Sequence, residues 1–412
     1  MVRLLMPSRR RAKGRPPKFS VVTIVRNEAP RLPRLLESLA EFRAQGGEVL
    51  VLDTGSDDGT PEIAAAAGCR VLVEEPRRFE WRLTARQAQR IEKAFAKGGE
   101  GPLVKAGVRL FAFGRARAHV AALARNDFQL AVDGSDVVDV LDVDSLNEIV
   151  RGAGSGHFYF ETRMLSPAGW LSEARGYFYD RRVMEWTGLA HNVLVRRRPG
   201  PPGKPVLLPS HQLRVSHHTN LQKFRDYLPG SALEALASPD SIPWNYYLAR
   251  VLTARGHFRS GLEVALRLDR AGVAPPMRST GLCMAALCRA GTGAPEDEVS
   301  GLLLRAALRD SGRRDPLLRL AVRCSAKGDM QGAASFAAAA LSIPPLAGVS
   351  EAEANHTTRP HEVLYWSLLW LGRLDEARAH FQACRRLDPD NLLYAEHARF
   401  FPDPSRPPVD LR

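Results

Sequence analysis

The chain reads as two architectures in series: an α/β domain on a mixed, Rossmann-like sheet, followed by an all-α array of repeated helical hairpins. Three observations predict this. Apolar, β-branched runs alternate with helical segments over the first 75 or so residues. Aromatic β runs near residues 157–184 then extend the alternation. From about residue 221 the composition turns to alanine- and leucine-rich segments in which a glycine-led pattern recurs at fixed offsets. At 412 residues the chain is too long for one ordinary core, so two or three domains are expected.

The first strand is "FSVVTIV", residues 19–25, a continuous apolar run of the kind buried on both faces of a parallel sheet. Arg26-Asn27-Glu28 ends it. Leu32, Leu35, Leu36, Leu39 and Phe42 recur at helical spacing until Gly46-Gly47. "EVLVLD", residues 48–53, is the second strand. Thr60-Pro61 opens a helix with a cap and a first-turn proline, Gly68 closes it, and "RVLVEE" is the third strand. Strand, helix, strand, helix, strand implies parallel order, and in such sheets ligands sit beyond the carboxyl ends of the strands. Arg26 to Glu28 and Asp53 to Asp58 are thereby expected to face one crevice. No Gly-x-Gly-x-x-Gly turn follows the first strand, which argues against a dinucleotide cofactor.

Residues 77–110 interrupt the alternation and form an insertion near the crevice, either a substrate lid or packing decoration. Ala116 to Leu123 is helical in pattern, and Phe128 to Val132 is a strand ending at Asp133. "HFYFETR" and "GYFYDRRV" predict an antiparallel extension. In the last part, Gly372, Leu374, Ala377, Phe381, Cys384 and Pro389 carry the offsets of a tetratricopeptide second helix. Gly328, Met330, Ala333, Ala337, Ala340 and Pro345 repeat them, and Gly256, Phe258, Gly261, Ala265 and Leu268 repeat most of them. One degraded repeat is expected around Gly291. The domains expected are a basic flexible arm at 1–17, a sheet domain at 18–220 and helical repeats at 221–412.

Arg and Lys exceed Asp and Glu by 58 to 45, which suits an anionic partner: a sugar nucleotide, a nucleic acid or a membrane surface. No run approaches the roughly 18 apolar residues that span a bilayer, so the expected location is cytoplasmic, with a membrane-peripheral position left open. Five cysteines without paired spacing read as buried free thiols.

The order "SVVTIVRNE", "EVLVLDTGSDDGT", "FGRARAHVAALARNDFQLAVDGSD" and "FYDRRVMEWTGLAHNVLV", followed by the repeats, resembles the family-2 glycosyltransferases, especially bacterial and phage members with C-terminal tetratricopeptide repeats. The resemblance implies a GT-A fold, a nucleotide-sugar donor, inverting transfer and Mg2+ or Mn2+ as helper. It implies that Val25, Arg26 and Glu28 border the base and ribose and that Asp53 accepts hydrogen bonds from the nucleoside, with loop capping the competing role for Asp53. Arg115 and Arg117 could meet the phosphates or be solvated helix arginines. The family's Asp-x-Asp followed by an acid is represented by Asp133, Gly134, Ser135 and Asp136. Serine is a poor hard-cation ligand, so metal affinity is expected to be reduced unless Asp136 turns inward. Asp142 and Asp144 are assigned to starting the helix "SLNEIV".

His191 matches a family histidine near metal and leaving diphosphate, which makes Asp133, Asp136 and His191 the expected metal ligands and His191 and Asp136 the expected catalytic residues. Asn192 stands where relatives carry glutamate and cannot act as a general base. His217 and His218 are expected in surface or packing roles. The acceptor stays open among glycan, lipid-linked sugar, peptide and modified DNA, and the repeats are expected to bind it or to form a homodimer. A catalytically weakened nucleotide-sugar-binding or scaffold protein, and a nucleic-acid-associated modification protein, are the rival readings.

Overall fold

The computed structural model describes residues 3–5, 16–152, 156–166, 169–198, 206–218, 226–344 and 351–401. The chain divides into two compact units, residues 1–260 with 347–350, and residues 261–346 with 351–412.

The first unit is organised by one long mixed sheet. Its strands are β1 (Arg3–Leu5), β2 (Phe19–Val25), β3 (Glu48–Asp53), β4 (Arg70–Val73), β7 (Phe128–Asp133), β8 (Asp136–Leu141), β9 (His157–Ser166), β10 (Gly169–Asp180) and β14 (Leu213–His218), in the spatial order β1-β4-β3-β2-β7-β10-β9-β14-β8. Strands β4, β3, β2 and β7 run parallel, as the alternation of apolar runs and helices predicts. The extension is antiparallel from β7 to β10 and from β10 to β9, with β14 parallel to β9 and antiparallel to β8. β13 (Val206–Leu207) adds a short parallel pair on β9.

β2 reads as a continuous apolar run because both its faces are covered. Phe19, Val21 and Val25 enter one core cluster and Val22 enters the other. Burial of each such side chain contributes roughly 1.5–3 kcal/mol. Helices α1 (Leu32–Ser38), α2 (Ala40–Ala44), α3 (Thr60–Ala66) and α6 (Val143–Gly152) belong with the first face, where Leu32, Leu35, Leu39, Phe42, Ala64 and Leu146 are buried. Helix α5 (Phe113–Leu123) covers the other through Ala116, Val120 and Ala121. A two-stranded ribbon, β11 (Met184–Thr187) with β12 (Val193–Arg196), packs Met184 and Trp186 onto that same face.

The insertion folds as a small antiparallel pair, β5 (Glu80–Arg82) with β6 (Arg109–Phe111), joined through α4 (Ala85–Phe95). Thr84 caps α4 in a reciprocal box with Gln87. Within the basic arm, Arg3–Leu5 forms an edge strand antiparallel to β4; residues 6–15 lie outside the described residues.

The first unit extends past the expected boundary at 220, through α7 (Leu228–Ala237), α8 (Ile242–Ala254) and the start of α9 (Phe258–Leu266). The reason lies in α7, whose Leu228, Ala232 and Ala235 are buried and whose Glu234 accepts backbone N–H groups of Leu189 and Ala190.

The second unit is a set of helical hairpins. They are α10 (Pro275–Gly291) with α11 (Glu296–Arg309), α12 (Asp315–Ala326) with α13 (Met330–Ser342), and α15 (Thr358–Trp370) with α16 (Leu374–Leu387), with the short α14 (Glu353–His356) and α17 (Leu392–His397). Gly328 and Gly372 occupy the turns in left-handed conformation, at φ +80° and +74°. The small positions that follow, Ala333, Ala337, Ala340 and Ala377, are fully buried where helices meet. The degraded repeat is present, but its left-handed turn residue is Gly293; Gly291 ends α10.

Candidate active site

The loops that leave β2 and β3 clasp each other. Asn27, the one non-glycine residue with positive φ among the described residues, takes φ +53°. Its N–H donates to Ser56 Oγ (2.8 Å), and its side-chain oxygen accepts from Asp57 N–H (3.1 Å). Glu28 N–H donates to Thr60 Oγ1 (2.9 Å) and Ala29 N–H to Asp58 Oδ2 (3.0 Å). Asp53 is fully buried and holds the second loop: Oδ1 accepts from Gly55 and Ser56 N–H (both 2.9 Å) and Oδ2 from Ser56 Oγ (2.5 Å). Asp53, expected to bind a nucleoside directly, anchors its own loop in an Asx-turn arrangement, and that loop clasps the one that carries Arg26 to Glu28.

Beside these loops lies a cavity of about 510 Å³. Val25, Arg26, Asn27, Glu28 and Thr54 form one wall, and the insertion supplies another through Trp81, Arg109 and Phe111. The remainder comes from Leu189 and Ala190 of the β11–β12 loop and from Asp226, Tyr227 and Gly230. The insertion is therefore part of the site's wall. Glu80 lies 3.5 Å from Arg26 and 3.8 Å from Arg109, tying the two walls by charge. Trp81 Nε1 is buried with no hydrogen-bond partner among the described residues, and buried indole N–H groups normally have one.

The Asp133–Asp136 turn joins β7 to β8 next to this cavity. Asp133 pairs in register with Ile24, and a Cβ on Gly134 would lie 2.9 Å from Val25 Cγ1 and 3.2 Å from Glu28 Cγ. Glycine is needed there so that the carboxylate turn can approach the cavity wall. Asp136 is 1% exposed. Its Oδ2 accepts the N–H of Asp133 (2.7 Å), and its Oδ1 is 2.6 Å from His217 Nδ1. His217 reaches it because β14 and β8 place His217 opposite Asp136 in register. His217, expected in a surface or packing role, thus packs against Asp136. Burial lowers the His217 pKa, but the hydrogen bond and charge of Asp136, with Asp133, outweigh it and raise the group above its ordinary value.

Two guanidinium groups close the cluster. Arg117 donates to Asp133 Oδ1 and lies 5.3 Å from the Tyr177 ring and 5.0 Å from that of Trp186. Arg175 Nη1 is 3.6 Å from Asp133 Oδ2 and 3.4 Å from Asp136 Oδ2. Asp133, Asp136 and His217 have ligand atoms within 4.8 Å of one another, a spacing a metal ion could use, and oxygen donors suit Mg2+ or Mn2+. The cations already present oppose it. Asp133 and Asp136 face the guanidinium groups of Arg117 and Arg175, with Glu173 on the far side of Arg175 and His217 on Asp136, so a divalent ion would have to compete with fixed cations for the same oxygens. The residues present do not fit a resident divalent ion.

His191, expected as a metal ligand, is not in this group of three. Its ring stacks on Tyr227 and Tyr247, with centroids 4.8 and 4.0 Å away. Burial, with the charge of Arg250, pushes its pKa down to about 3, so the ring is neutral at ordinary pH. Asp136, expected as a catalytic residue, is enclosed by the Asp133 N–H, His217 and Arg175. Arg115 is exposed on α5 and Arg117 is buried on Asp133, so the two expected phosphate ligands have different surroundings. Asn192 donates to Tyr177 OH (3.3 Å). Asp142 accepts from Ser145 N–H and Oγ (3.1 and 2.6 Å) at the start of α6, the helix-start role expected of it.

Sequence reasoning missed Arg175, His217, Trp81 and the α7 residues. The signal available for His217 was the alternating run "LRVSHH", which ends a strand in two histidines.

A mixed α/β unit with a cavity at the parallel strand ends is followed along the chain by helical hairpins. The family model for glycosyl transferase family 2 matches residues 20–88, which contain the β2 and β3 loops and the first part of the insertion. A TPR repeat-containing protein of Synechococcus elongatus is 51% identical over 55 residues, and that match spans 13% of either chain. Among solved structures, S. aureus TarS 1-349 in complex with UDP-GlcNAc is 13% identical, covers 95% of each chain and has a TM-score of 0.33. MamA is 14% identical, with 41% of this chain and 90% of that chain covered and a TM-score of 0.33. Among the described residues, no helix is long and apolar enough to cross a membrane.

Proposed function

We propose that the first unit is a glycosyltransferase that holds a nucleotide-sugar donor in the 510 Å³ cavity, with the sugar and diphosphate directed toward the Asp133–Asp136 turn. The observation that carries this reading is the close approach of Gly134 to Val25 and Glu28. It sets a carboxylate turn against a cavity walled by aromatic rings and two arginines, within the unit whose residues 20–88 match glycosyl transferase family 2. Trp81 and Phe111 offer surfaces for the base, and Arg26 and Arg109 offer charge for the diphosphate. In the transfer, the acceptor nucleophile bonds to the anomeric carbon as the bond to the diphosphate oxygen breaks, and the electron pair leaves with the nucleoside diphosphate. No step is routed through a metal, because the carboxylates are matched by Arg117 and Arg175. The donor class proposed is UDP- or GDP-sugar; glycan, lipid-linked sugar, peptide and modified DNA remain the candidate acceptors.

Titration calorimetry with a panel of UDP- and GDP-sugars tests the reading. At least one should bind the full chain, and Trp81→Ala should weaken it on the order of tenfold, in line with the worth of an aromatic–base stack. Absence of binding across the panel, or an unchanged affinity in a folded Trp81→Ala variant, would refute the cavity as the donor site. Enclosure of Asp136 and the pairing of Asp133 with two arginines also favour a second reading, a nucleotide-sugar-binding protein without transfer. Release of free sugar or nucleoside diphosphate on prolonged incubation would exclude that second reading.

A further inference from the structure

We infer that Arg175 is a positioning residue that takes the place of a divalent cation at the Asp133–Asp136 turn, so that the donor is bound without metal; this rests on the donor site proposed above. Arg175 comes from β10, a strand remote in sequence from the turn, and is delivered by an irregularity. The β9–β10 register shifts between Arg175 and Phe178, and a Cβ on Gly176 within that bulge would lie 2.3 Å from His157 Nε2. Bulges re-aim side chains. The Arg175 side chain is 10% exposed, and each nitrogen has a neighbour. Nη1 spans Asp133 and Asp136, Nε lies 3.4 Å from Glu173 Oε1, and Nη2 lies 3.1 Å from Met164 Sδ.

Planar guanidinium can bridge two carboxylates as a fixed part of the fold, which a divalent ion otherwise does from solution. With Arg117 also on Asp133 and His217 on Asp136, three cationic or cation-forming side chains stand against the three carboxylates Asp133, Asp136 and Glu173. Ser135 completes the logic: a neutral side chain stands between Asp133 and Asp136, so no third carboxylate in the turn restores a negative excess. The consequence is that the turn offers the donor a rigid and nearly neutral surface, and the diphosphate charge is met by arginines on the cavity wall.

Manganese titration of the full chain without nucleotide reads this inference alone, by calorimetry or by loss of the free Mn2+ spin-resonance signal. The wild-type chain should show no saturable site up to roughly 1 mM, the weak end of carboxylate cation sites. Arg175→Gln and, separately, Ser135→Asp should each create a site at least about tenfold tighter, because each adds one unit of negative excess, worth a large factor at such short range. Ser135→Asp removes no contact of the buried cluster, so it serves if Arg175→Gln fails to fold. A wild-type site tighter than roughly 0.1 mM that Asp133→Asn abolishes would overturn the inference. So would folded variants that both fail to bind Mn2+. Donor affinity measured in EDTA separates the two proposals: loss of donor binding in EDTA alone contradicts metal independence, whereas no donor binding under any condition contradicts the donor site and leaves the manganese result standing.

Discussion

The two units bury different chemistry. Where the hairpins of the second unit meet, the buried positions include Ala333, Ala337, Ala340 and Ala377, small groups with no charge to satisfy, and the buried Arg314 donates to the carbonyl oxygen of Ile343. At the end of β7 in the first unit, Asp136, Arg117, Arg175 and His217 are withdrawn from water together and compensate one another. The difference teaches that stability in the hairpins is distributed and local, with each turn and each small residue contributing separately. In the cluster the members are coupled, and removing one leaves another charge buried without its partner.

Arg117→Met should break the comparison most sharply. It keeps most of the side-chain volume but leaves Asp133 without its shortest counter-charge, and the expected loss is about 3–5 kcal/mol of unfolding free energy. Chemical denaturation measures it. Adding Asp133→Asn should recover part of the loss, because a neutral amide no longer needs a cation. If the double variant is as unstable as the sum of the singles, the coupling is absent.

The next effect is a pH dependence confined to the first unit. Glu234 holds the backbone of Leu189 and Ala190 at the cavity wall, and burial pushes its pKa up to about 7 from the ordinary 4.5. A raised carboxyl binds its proton more tightly when folded, so stability from this group is full below pH 4.5 and is lost as pH rises to about 7. The expected decline is on the order of 2–3 kcal/mol across that window. Glu234→Gln should flatten it, and an undiminished decline in that variant would assign the effect elsewhere.

The smallest effect compares two glycines. Gly328 turns at φ +80° with no atom within 4 Å of an added Cβ, so Gly328→Ala should cost only the left-handed backbone term, about 1–2 kcal/mol. Gly188, at φ +103°, would in addition place its Cβ 2.1 Å from the carbonyl oxygen of His191. Gly188→Ala should therefore cost more than Gly328→Ala, and thermal unfolding of the pair checks the order.

What could be read from sequence follows the same division. The parallel strands were legible because β2 and β3 are buried on both faces and so carry unbroken apolar runs. The hairpins were legible because a turn glycine and the small residues after it lie within one helix of each other. Val25, Arg26 and Glu28 were legible as cavity residues because strand ends face one side of a parallel sheet. Asp136 was legible as Asp133's companion, but not its partners. His217 meets it across 81 residues and Arg175 across 39, through strand register and a bulge that no local pattern records. β8 was hidden because Asp136 opens it and Asp139 interrupts its valines, in a stretch whose aspartates read first as ligands or caps. The surroundings of His191 were hidden because Tyr227 and Tyr247 come from a segment assigned to the repeats.

A crystal structure of the full chain with the tightest-binding nucleotide sugar of the panel tests the central claim most directly. The expected result is the base in the cavity between residues 24–28 and Trp81, with the diphosphate leading to Gly134 and no metal between it and Asp133. A nucleotide bound elsewhere on the chain, or one whose diphosphate reaches Asp133 through a divalent ion with Arg175 displaced, would contradict it.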